Sequence, residues 1–239
     1  MKTHENDIWD LSKLKLIIRF VKRDFSRYTL FVPLFKFSKS FLRLEEKFSL
    51  YLKLNYKSKR YKTAQIANTV CNLICCGINR FVRMDDEFRI ERGLAKALGL
   101  PKGFFSARTA YRFFRSFNGW NINQLERVNL ELLKEQKTYW YYKRGLLFID
   151  LDMNTKSVEG RQIQNAVLGY NRKHPGRLCL QWSVAHLGKI ALYSKLHKGT
   201  ASGKTILQTQ VKHLEKLLTK LDVAIETKRL IWRLDCGYF

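Results

Sequence analysis

The chain has no long uncharged apolar run, few acidic residues and no cysteine pattern typical of a metal site. None of its apolar segments approaches the roughly 20 residues that a membrane-spanning helix needs. The first residues, MKTHENDIWD, contain acids and no apolar core, so we expect no signal peptide. These absences predict a cytoplasmic protein, and 239 residues with 46% hydrophobic composition suffice for two modest domains.

The cysteines show no spacing that would pair them with the histidines in a zinc site. Nothing else in the sequence indicates an oxidising compartment, so we expect the cysteines to be reduced and to act as small apolar side chains. They are Cys71, Cys75, Cys76, Cys179 and Cys236.

The shortage of acids leaves a large positive charge. The chain has 45 Lys and Arg residues and only 20 Asp and Glu residues, for a net charge of +25. Such an excess attracts phosphate backbones and makes binding depend on salt. A generally basic proteome or a membrane-surface protein would have the same balance. Basic residues run through both halves of the chain rather than forming one patch, which favours a nucleic-acid partner.

The first half of the chain reads as helical. Helical apolar spacing occurs over residues 11–25, over 64–82 with a stop near Gly77, and over 121–143. Residues 41–54 fit helical spacing and strand alternation about equally well. We therefore assign residues 1–144 to a helical, basic domain with a DNA-binding role.

Two short helices joined by a Gly-Leu-Pro turn are predicted within this domain. Asp85 and Asp86 are candidate caps for the first helix, and Ser106 is a candidate cap for the second. The second helix carries Arg108, Arg112 and Arg115. This pattern predicts a helix-turn-helix-like unit that contacts DNA, and a packed helix pair without groove contact is the alternative.

The most informative feature of the second half is a pair of carboxylates on a strand of sequence GLLFIDLD, residues 145–152. Because strand side chains alternate, Asp150 and Asp152 lie on one face. A later strand over 229–235 ends in Asp235. If the fold brings Asp152 near Asp235, their hard oxygen ligands would suit Mg²⁺ or Mn²⁺. Acids at strand ends that simply face solvent are the alternative.

Between these strands the sequence predicts a compact mixed sheet. A His-Pro-Gly-Arg turn at 174–177 precedes a hairpin of strands 178–187 and 190–197, which turns at Gly188-Lys189. An apolar stripe predicts a helix over 203–221, consisting of Leu207, Val211, Leu214, Leu218 and Leu221. Strand, helix and strand then form a crossover unit, so residues 145–239 are predicted to be a second domain and the fold class is α+β.

Several short motifs occur in a fixed order along the second half. Asp150-Leu-Asp152 is followed by T-x-x-x-x-G-x-Q, by G-Y-N-x-K-x-P-G-R and by R-x-D-x-G-Y. In this order and spacing the chain resembles the transposases of bacterial insertion sequences, the Asp-Asp-Glu enzymes with a ribonuclease-H-like core. The resemblance covers roughly residues 60–239 and is specific from residue 145 onward.

The resemblance implies a DNA transposase that cleaves and joins DNA by two-metal phosphoryl transfer, with Mg²⁺ or Mn²⁺ as cofactor. Asp152 matches the first catalytic aspartate and metal ligand, and Asp235 matches the second. Asp150 shares the face of Asp152, so it is an alternative match for the first catalytic aspartate and a further candidate metal ligand. Cys236 departs from the small residue, often Ser, that the family has after its second aspartate.

The family's third carboxylate is a glutamate on a helix after a fifth strand, and nothing in this sequence matches it. The resemblance therefore implies an incomplete ribonuclease-H-like sheet and a truncated transposase that is inactive alone. It implies insertion-sequence ends and target DNA as partners, no membrane, and a nucleoid-associated bacterial protein. A homodimer is left open.

DNA contacts are also expected around the second strand of this sheet, where basic and aromatic side chains flank the turn. These are Tyr170, Arg172, Lys173 and Arg177. An exposed loop without DNA contact is the alternative. For the whole chain the alternative functions are a catalytically inactive, DNA-binding transposase remnant and a basic nucleic-acid-binding scaffold protein.

Overall fold

The computed structural model describes residues 28, 30–56, 58, 60–78, 80–100, 102–136, 146–159, 163–223 and 230–234. The chain divides into two compact units, Met1–Leu132 and Leu133–Phe239. The helix predicted over residues 11–25 lies outside the described residues, as does the predicted domain boundary between residues 144 and 145.

The N-terminal unit is helical over its described residues. Its helices are α1 (Phe31–Lys36), α2 (Leu44–Tyr51), α3 (Thr63–Cys75), α4 (Arg92–Ala97), α5 (Ala107–Arg115) and α6 (Gly119–Gln136), with π-helical turns at Phe37–Phe41 and Met84–Phe88; α6 continues past the division between the units. α3 ends as expected before Gly77, whose φ of +82° is in the left-handed region that glycine adopts without strain.

Aromatic side chains fill the core of this unit. Phe88 is fully buried, and its ring centroid lies 5.8 Å from that of Phe31 and 5.2 Å from that of Phe104. Tilted and edge-on pairs of this kind add to the free energy gained from burying the rings. Ile66 and Leu73 of α3 are buried in the same core, which therefore joins α1, α3 and the segment before α5.

The first turn of α5 is capped by two different side chains. Ser106 accepts a hydrogen bond from the Thr109 amide, as its sequence position predicts. Asp85 accepts one from the Ala107 amide at 3.1 Å. Asp85 therefore caps a helix 22 residues further along the chain, and not the helix that directly follows it as the sequence suggested.

The C-terminal unit contains a mixed five-stranded sheet. Its elements are β1 (Leu147–Ser157), β2 (Val167–Leu168), β3 (Leu178–Leu187), β4 (Ile190–Lys198), α7 (Gly203–Lys220) and β5 (Leu230–Leu234). β3 pairs antiparallel with β1 on one side and with β4 and the short β2 on the other, and β5 pairs parallel with β1.

This strand arrangement confirms the predicted fold class. A helical N-terminal region is followed by a mixed, open sheet in which β4, β3, β1 and β5 lie side by side, with α7 between the last two strands in the sequence. The order is consistent with an incomplete ribonuclease-H-like sheet. The predicted hairpin is present, and Gly188 adopts a φ of +58° at its turn.

α7 covers one face of the sheet. Tyr193 of β4 pairs with Ala185, and Ala185 pairs with Leu151, so their side chains lie on the same face. The Tyr193 ring lies 5.0 Å from His213 of α7, so α7 packs on that face. The side chains of Asp150 and Asp152 are on the other face.

The buried side of α7 differs in part from the predicted stripe. Leu214, Leu218 and Leu221 are buried as expected. In the first turns the buried residues are Ile206 and Gln210, whereas Leu207 and Val211 are half-buried. Gln210 tolerates burial because its amide donates to the Val184 carbonyl oxygen at 2.9 Å.

None of the helices in the described residues is both long and apolar enough to cross a bilayer. The four cysteines that the structure describes are free thiols. Burial raises the pKa of Cys71 to about 11, so its thiol stays protonated at neutral pH. The environments of Cys71 and Cys179 suit small apolar side chains, whereas Cys75 is exposed and Cys236 lies outside the described residues.

Candidate functional site

The face of β1 opposite α7 carries both acidic residues of the strand. Ile149 and Leu151 are buried on the α7 face, at 0% and 2% exposure. Asp150 and Asp152 alternate with them and are half-buried. The strand thus presents two carboxylates to one side, as the alternation of the sequence predicts.

β5 lies directly beside β1 and runs parallel to it. The register pairs Asp150 with Arg233 and Leu151 with Leu234. Leu234 is the last described residue of β5, and Asp235, which follows it in the sequence, lies outside the described residues. The structure therefore describes the strand pair that leads to both aspartates, and the predicted proximity of Asp152 and Asp235 stays a prediction.

Asp150 forms an ion pair with Arg233 across these strands. Arg233 donates from Nε to one carboxylate oxygen of Asp150 at 2.5 Å and from a terminal nitrogen to the other at 2.8 Å. These hydrogen bonds lower the pKa of Asp150, and the charges of Arg233 and His186 add to the effect. The guanidinium also lies 5.0 Å from the centre of the Phe148 ring. Asp150 is thus held ionised, with both oxygens engaged.

Asp152 has different neighbours. Its backbone pairs with Val184 of β3. One of its carboxylate oxygens accepts a hydrogen bond from the side-chain amide of Asn154 at 2.8 Å. Within the described ranges no three His, Cys, Asp or Glu side chains are grouped closely enough to hold a metal ion. Asp235, the acid that follows β5 in the sequence, lies outside those ranges.

The loop that carries the G-Y-N motif is fixed to the sheet by buried polar contacts. Asn171 is 6% exposed and donates to the Ser157 hydroxyl at 2.9 Å, while its own oxygen accepts from the His174 amide at 3.1 Å. The Gln181 amide lies 3.4 Å from the Tyr170 carbonyl oxygen and 3.1 Å from that of Gly199. Sequence reasoning did not assign a role to Asn171, although it is part of the motif.

Two glycines allow this loop to approach the sheet. A Cβ atom on Gly169 would lie 2.1 Å from the Gly199 carbonyl oxygen, and a Cβ on Gly199 would lie 2.2 Å from that of Cys179. Neither position has room for a side chain, because the obstructing atoms are backbone. The glycine of the motif is therefore required by close backbone packing.

Four of the seven residues predicted to contact DNA lie on this anchored loop and face solvent. Tyr170 is 78% exposed, and the three cations are also exposed. Arg177 has a long contact of 3.5 Å to Glu159, whose side chain is 91% exposed. Arg172 and Lys173 have no acidic partner within the described part of the chain. The loop thus presents an aromatic ring and three cations on a fixed backbone.

α5 presents a second basic surface, in the N-terminal unit. Ala107, Ala110 and Phe113 are buried. The three arginines predicted to contact DNA are all exposed; they are Arg108, Arg112 and Arg115. Tyr111 and Phe114 are 50% and 39% exposed on the same helix, so aromatic rings lie among the cations. The sequence analysis gave these two rings no role. The helical spacing of the buried residues would have placed both rings on the exposed side of α5.

The chain matches no protein-family model and no curated protein. Among solved structures it is similar to a Mos1 transposase paired-end complex with left transposon end, at 15% identity over 75% of this chain and 53% of that one, with a TM-score of 0.24. It is also similar to a pre-cleavage Mos1 transpososome (16% identity, 77% and 55% coverage, TM-score 0.25) and to a Mos1 mariner paired-end complex with Mn (16%, 75% and 53%, TM-score 0.25).

The chain spans about half the length of the solved structures that it matches.

Proposed function

We propose that the chain is a DNA transposase of the Asp-Asp-Glu class, whose C-terminal unit holds a divalent cation between Asp152 and Asp235. The observation that carries the proposal is the parallel register of β1 and β5. It pairs Leu151 with Leu234, the residues directly before the two aspartates. Continued by one position, this register would set the two carboxylates side by side.

The donor set fits Mg²⁺ or Mn²⁺. Asp152 offers a carboxylate on the sheet face away from α7, and Asp235 would add a second one. When bound, such a cation stabilises negative charge on the reacting phosphodiester. Asp150 is a weaker candidate ligand than Asp152, because Arg233 engages both of its oxygens.

Arg233 has a positioning role in this proposal. Its ion pair removes the repulsion that Asp150 would otherwise exert on the next carboxylate of the same face. The pair also joins β5 to β1 close to the proposed metal ligands, because Asp150 and Arg233 each lie two residues before one of them in the sequence. Arg233 would thus keep the two strand ends aligned without contacting the substrate.

DNA is the proposed partner, with insertion-sequence ends and target DNA as the substrates and the bacterial nucleoid as the location. The net charge of +25 supports a polyanionic partner. The exposed cations of α5 and of the G-Y-N loop supply phosphate contacts in each unit, and the neighbouring rings of Tyr111 and Tyr170 supply surfaces for stacking. A homodimer is compatible with this function and is not required by it.

Cleavage of duplex DNA in Mg²⁺ or Mn²⁺ tests the proposal, with Asp152→Asn as the variant and Glu215→Gln, at an exposed acid of α7 away from the proposed DNA contacts, as the matched control. We expect little or no cleavage by the 239-residue polypeptide alone, because only two of the family's three carboxylates have a match in it. A polypeptide that supplies the family's glutamate should raise the rate, and Asp152→Asn should abolish cleavage.

Cleavage that survives in Asp152→Asn would contradict the proposed site. Salt-sensitive DNA binding without any metal-dependent cleavage, even with the added glutamate segment, would instead identify a catalytically inactive DNA-binding protein. That second function is supported by the net charge of +25 and by the exposed cations of α5 and the G-Y-N loop, which can bind phosphates without a metal ion.

A further inference from the structure

A basic cleft lies in the N-terminal unit beside the start of α5. Its volume is about 580 Å³, and four of its lining residues are cations while none is an acid. The lining side chains that matter here are Arg60, Arg89, Arg92 and Lys102. They come from three separate segments of the chain, so the fold itself gathers the positive charge.

These four cations have no carboxylate partner among the described residues, in contrast to three other basic residues of the same unit. Lys39 pairs with Glu45, Arg43 with Glu46 and Arg83 with Glu87. The four cleft cations form no ion pair within the described part of the chain. Like charges gathered around one cleft repel one another, so an anion in the cleft would relieve that repulsion.

The wall of the cleft is rigid at the point where Lys102 lies. The Tyr61 hydroxyl contacts the carbonyl oxygens of Lys102 and Gly103 at 3.3 and 3.0 Å. Phe104 and Phe105, which follow, are 6% and 2% exposed. The hydroxyl contacts of Tyr61 and the burial of Phe104 and Phe105 therefore hold this loop against the core. A loop that is already ordered loses less conformational entropy when it binds a ligand.

The backbone amides at the N-terminus of α5 do not supply the anion site. Its Thr109 and Ala107 amides already donate to Ser106 and Asp85. Recognition in the cleft therefore depends on the arginine and lysine side chains. Guanidinium groups bind phosphate oxygens with two parallel hydrogen bonds, which gives both strength and orientation.

We propose that this cleft binds a phosphate group of duplex DNA. The inference rests on the proposed function in so far as DNA is the partner. α5 begins at the cleft and carries its exposed arginines onward from there. A phosphate held in the cleft would fix the position of α5 along the duplex, since backbone contacts set register and base contacts set sequence preference.

The phosphate could be an internal phosphodiester or a 5′-terminal phosphate, and the experiment distinguishes them. Fluorescence anisotropy measures the Kd of one duplex, with and without 5′-phosphates, over a salt series. The variant is Arg89→Gln/Arg92→Gln, and the control is Lys216→Gln/Lys220→Gln, which removes the same charge from exposed positions of α7. Circular dichroism checks that each variant is folded.

For an internal phosphodiester we expect the slope of log Kd against log salt to fall, with either duplex, by about 0.9 for each phosphate that the cleft variant no longer neutralises. For a terminal phosphate the slope should fall only with the phosphorylated duplex. Equal slopes for the cleft variant and the α7 control would overturn the inference. Wild-type protein that binds neither duplex would instead refute the proposed function.

Inorganic phosphate tests the cleft without DNA. At constant ionic strength it should raise the thermal midpoint above that in chloride by more in the wild type than in Arg89→Gln/Arg92→Gln, because the general effect of phosphate on folded proteins is the same for both and binding in the cleft is not. The same midpoint shift in both proteins would count against the cleft, whatever the DNA measurements show.

Discussion

Arg233 of β5 holds Asp150 of β1 by two hydrogen bonds across parallel strands. This contact separates the two acids of the Asp-Leu-Asp motif into different environments. The ionised carboxylate of Asp150 is paired with the Arg233 guanidinium, whereas Asp152 contacts Asn154 on the same strand. Two identical side chains, two residues apart, are therefore assigned different roles, one structural and one as a proposed metal ligand.

Arg233→Gln should lower stability at neutral pH and not at strongly acidic pH. The ion pair lowers the folded pKa of Asp150 below its ordinary value of 3.8. Its contribution to stability is therefore fully present above pH 3.8 and is lost as the pH falls through the depressed pKa. Thermal melts of wild type and variant between about pH 2 and 7 should converge at the acidic end.

Arg177→Gln is the matched control for this measurement, because Arg177 has only a long contact to an exposed glutamate. Its melting difference from wild type should be small at every pH. A gap between Arg233→Gln and wild type that does not change with pH would show that the ion pair with Asp150 is not its cause.

Gly169→Ala should destabilise the C-terminal unit by about 1–3 kcal/mol, as expected for overpacking against atoms that cannot move aside. The new methyl group would overlap the Gly199 carbonyl oxygen. Urea unfolding measures the change. Gly119→Ala serves as the control, since a Cβ there meets nothing within 4 Å, and a loss of stability that is the same in both variants would refute the packing explanation.

Replacing the three exposed arginines of α5 by glutamine should weaken duplex binding by roughly tenfold or more and reduce its salt dependence. One triple variant carries all three changes, which are Arg108→Gln, Arg112→Gln and Arg115→Gln. The same number of charges removed from α7, by Lys204→Gln, Lys212→Gln and Lys216→Gln, gives the control. If both triple variants lose affinity equally, net charge rather than α5 explains the binding.

Phe88→Ala should cost about 3–5 kcal/mol of stability in the N-terminal unit, the range measured for buried aromatic residues replaced by alanine. Phe88 is fully buried among Tyr28, Phe31 and Phe104. Leu50→Ala, at a side chain that is 62% exposed, should change stability little. Denaturant titration compares the two, and similar losses would contradict the described core.

The sequence predicted those features that depend on neighbouring residues. Strand alternation put Asp150 and Asp152 on one face, Gly188 marked the hairpin, and Ser106 marked the start of α5. Each is determined within a few residues by backbone geometry or by a local hydrogen bond. The crossover from a strand through α7 to β5 was also predicted, because a helical stripe between two strand patterns forms such a unit.

The features that were missed depend on contacts between distant parts of the chain. Asp85 reaches α5 across 22 residues, and Arg233 reaches Asp150 across 83. Gln210 is buried only because a backbone carbonyl of β3 is within reach. No periodicity in the sequence records such contacts, since they arise only after the tertiary fold brings the segments together.

The central claim is that Asp152 and Asp235 share one divalent cation, and titration with Mn²⁺ followed by electron paramagnetic resonance tests it most directly. The signal of free Mn²⁺ reports binding to wild type, Asp152→Asn, Asp235→Asn and the control Glu159→Gln. We predict one site in wild type and in the control, and a large loss of affinity in each aspartate variant. Affinity unchanged in either Asp152→Asn or Asp235→Asn, with the fold intact, would contradict a shared site.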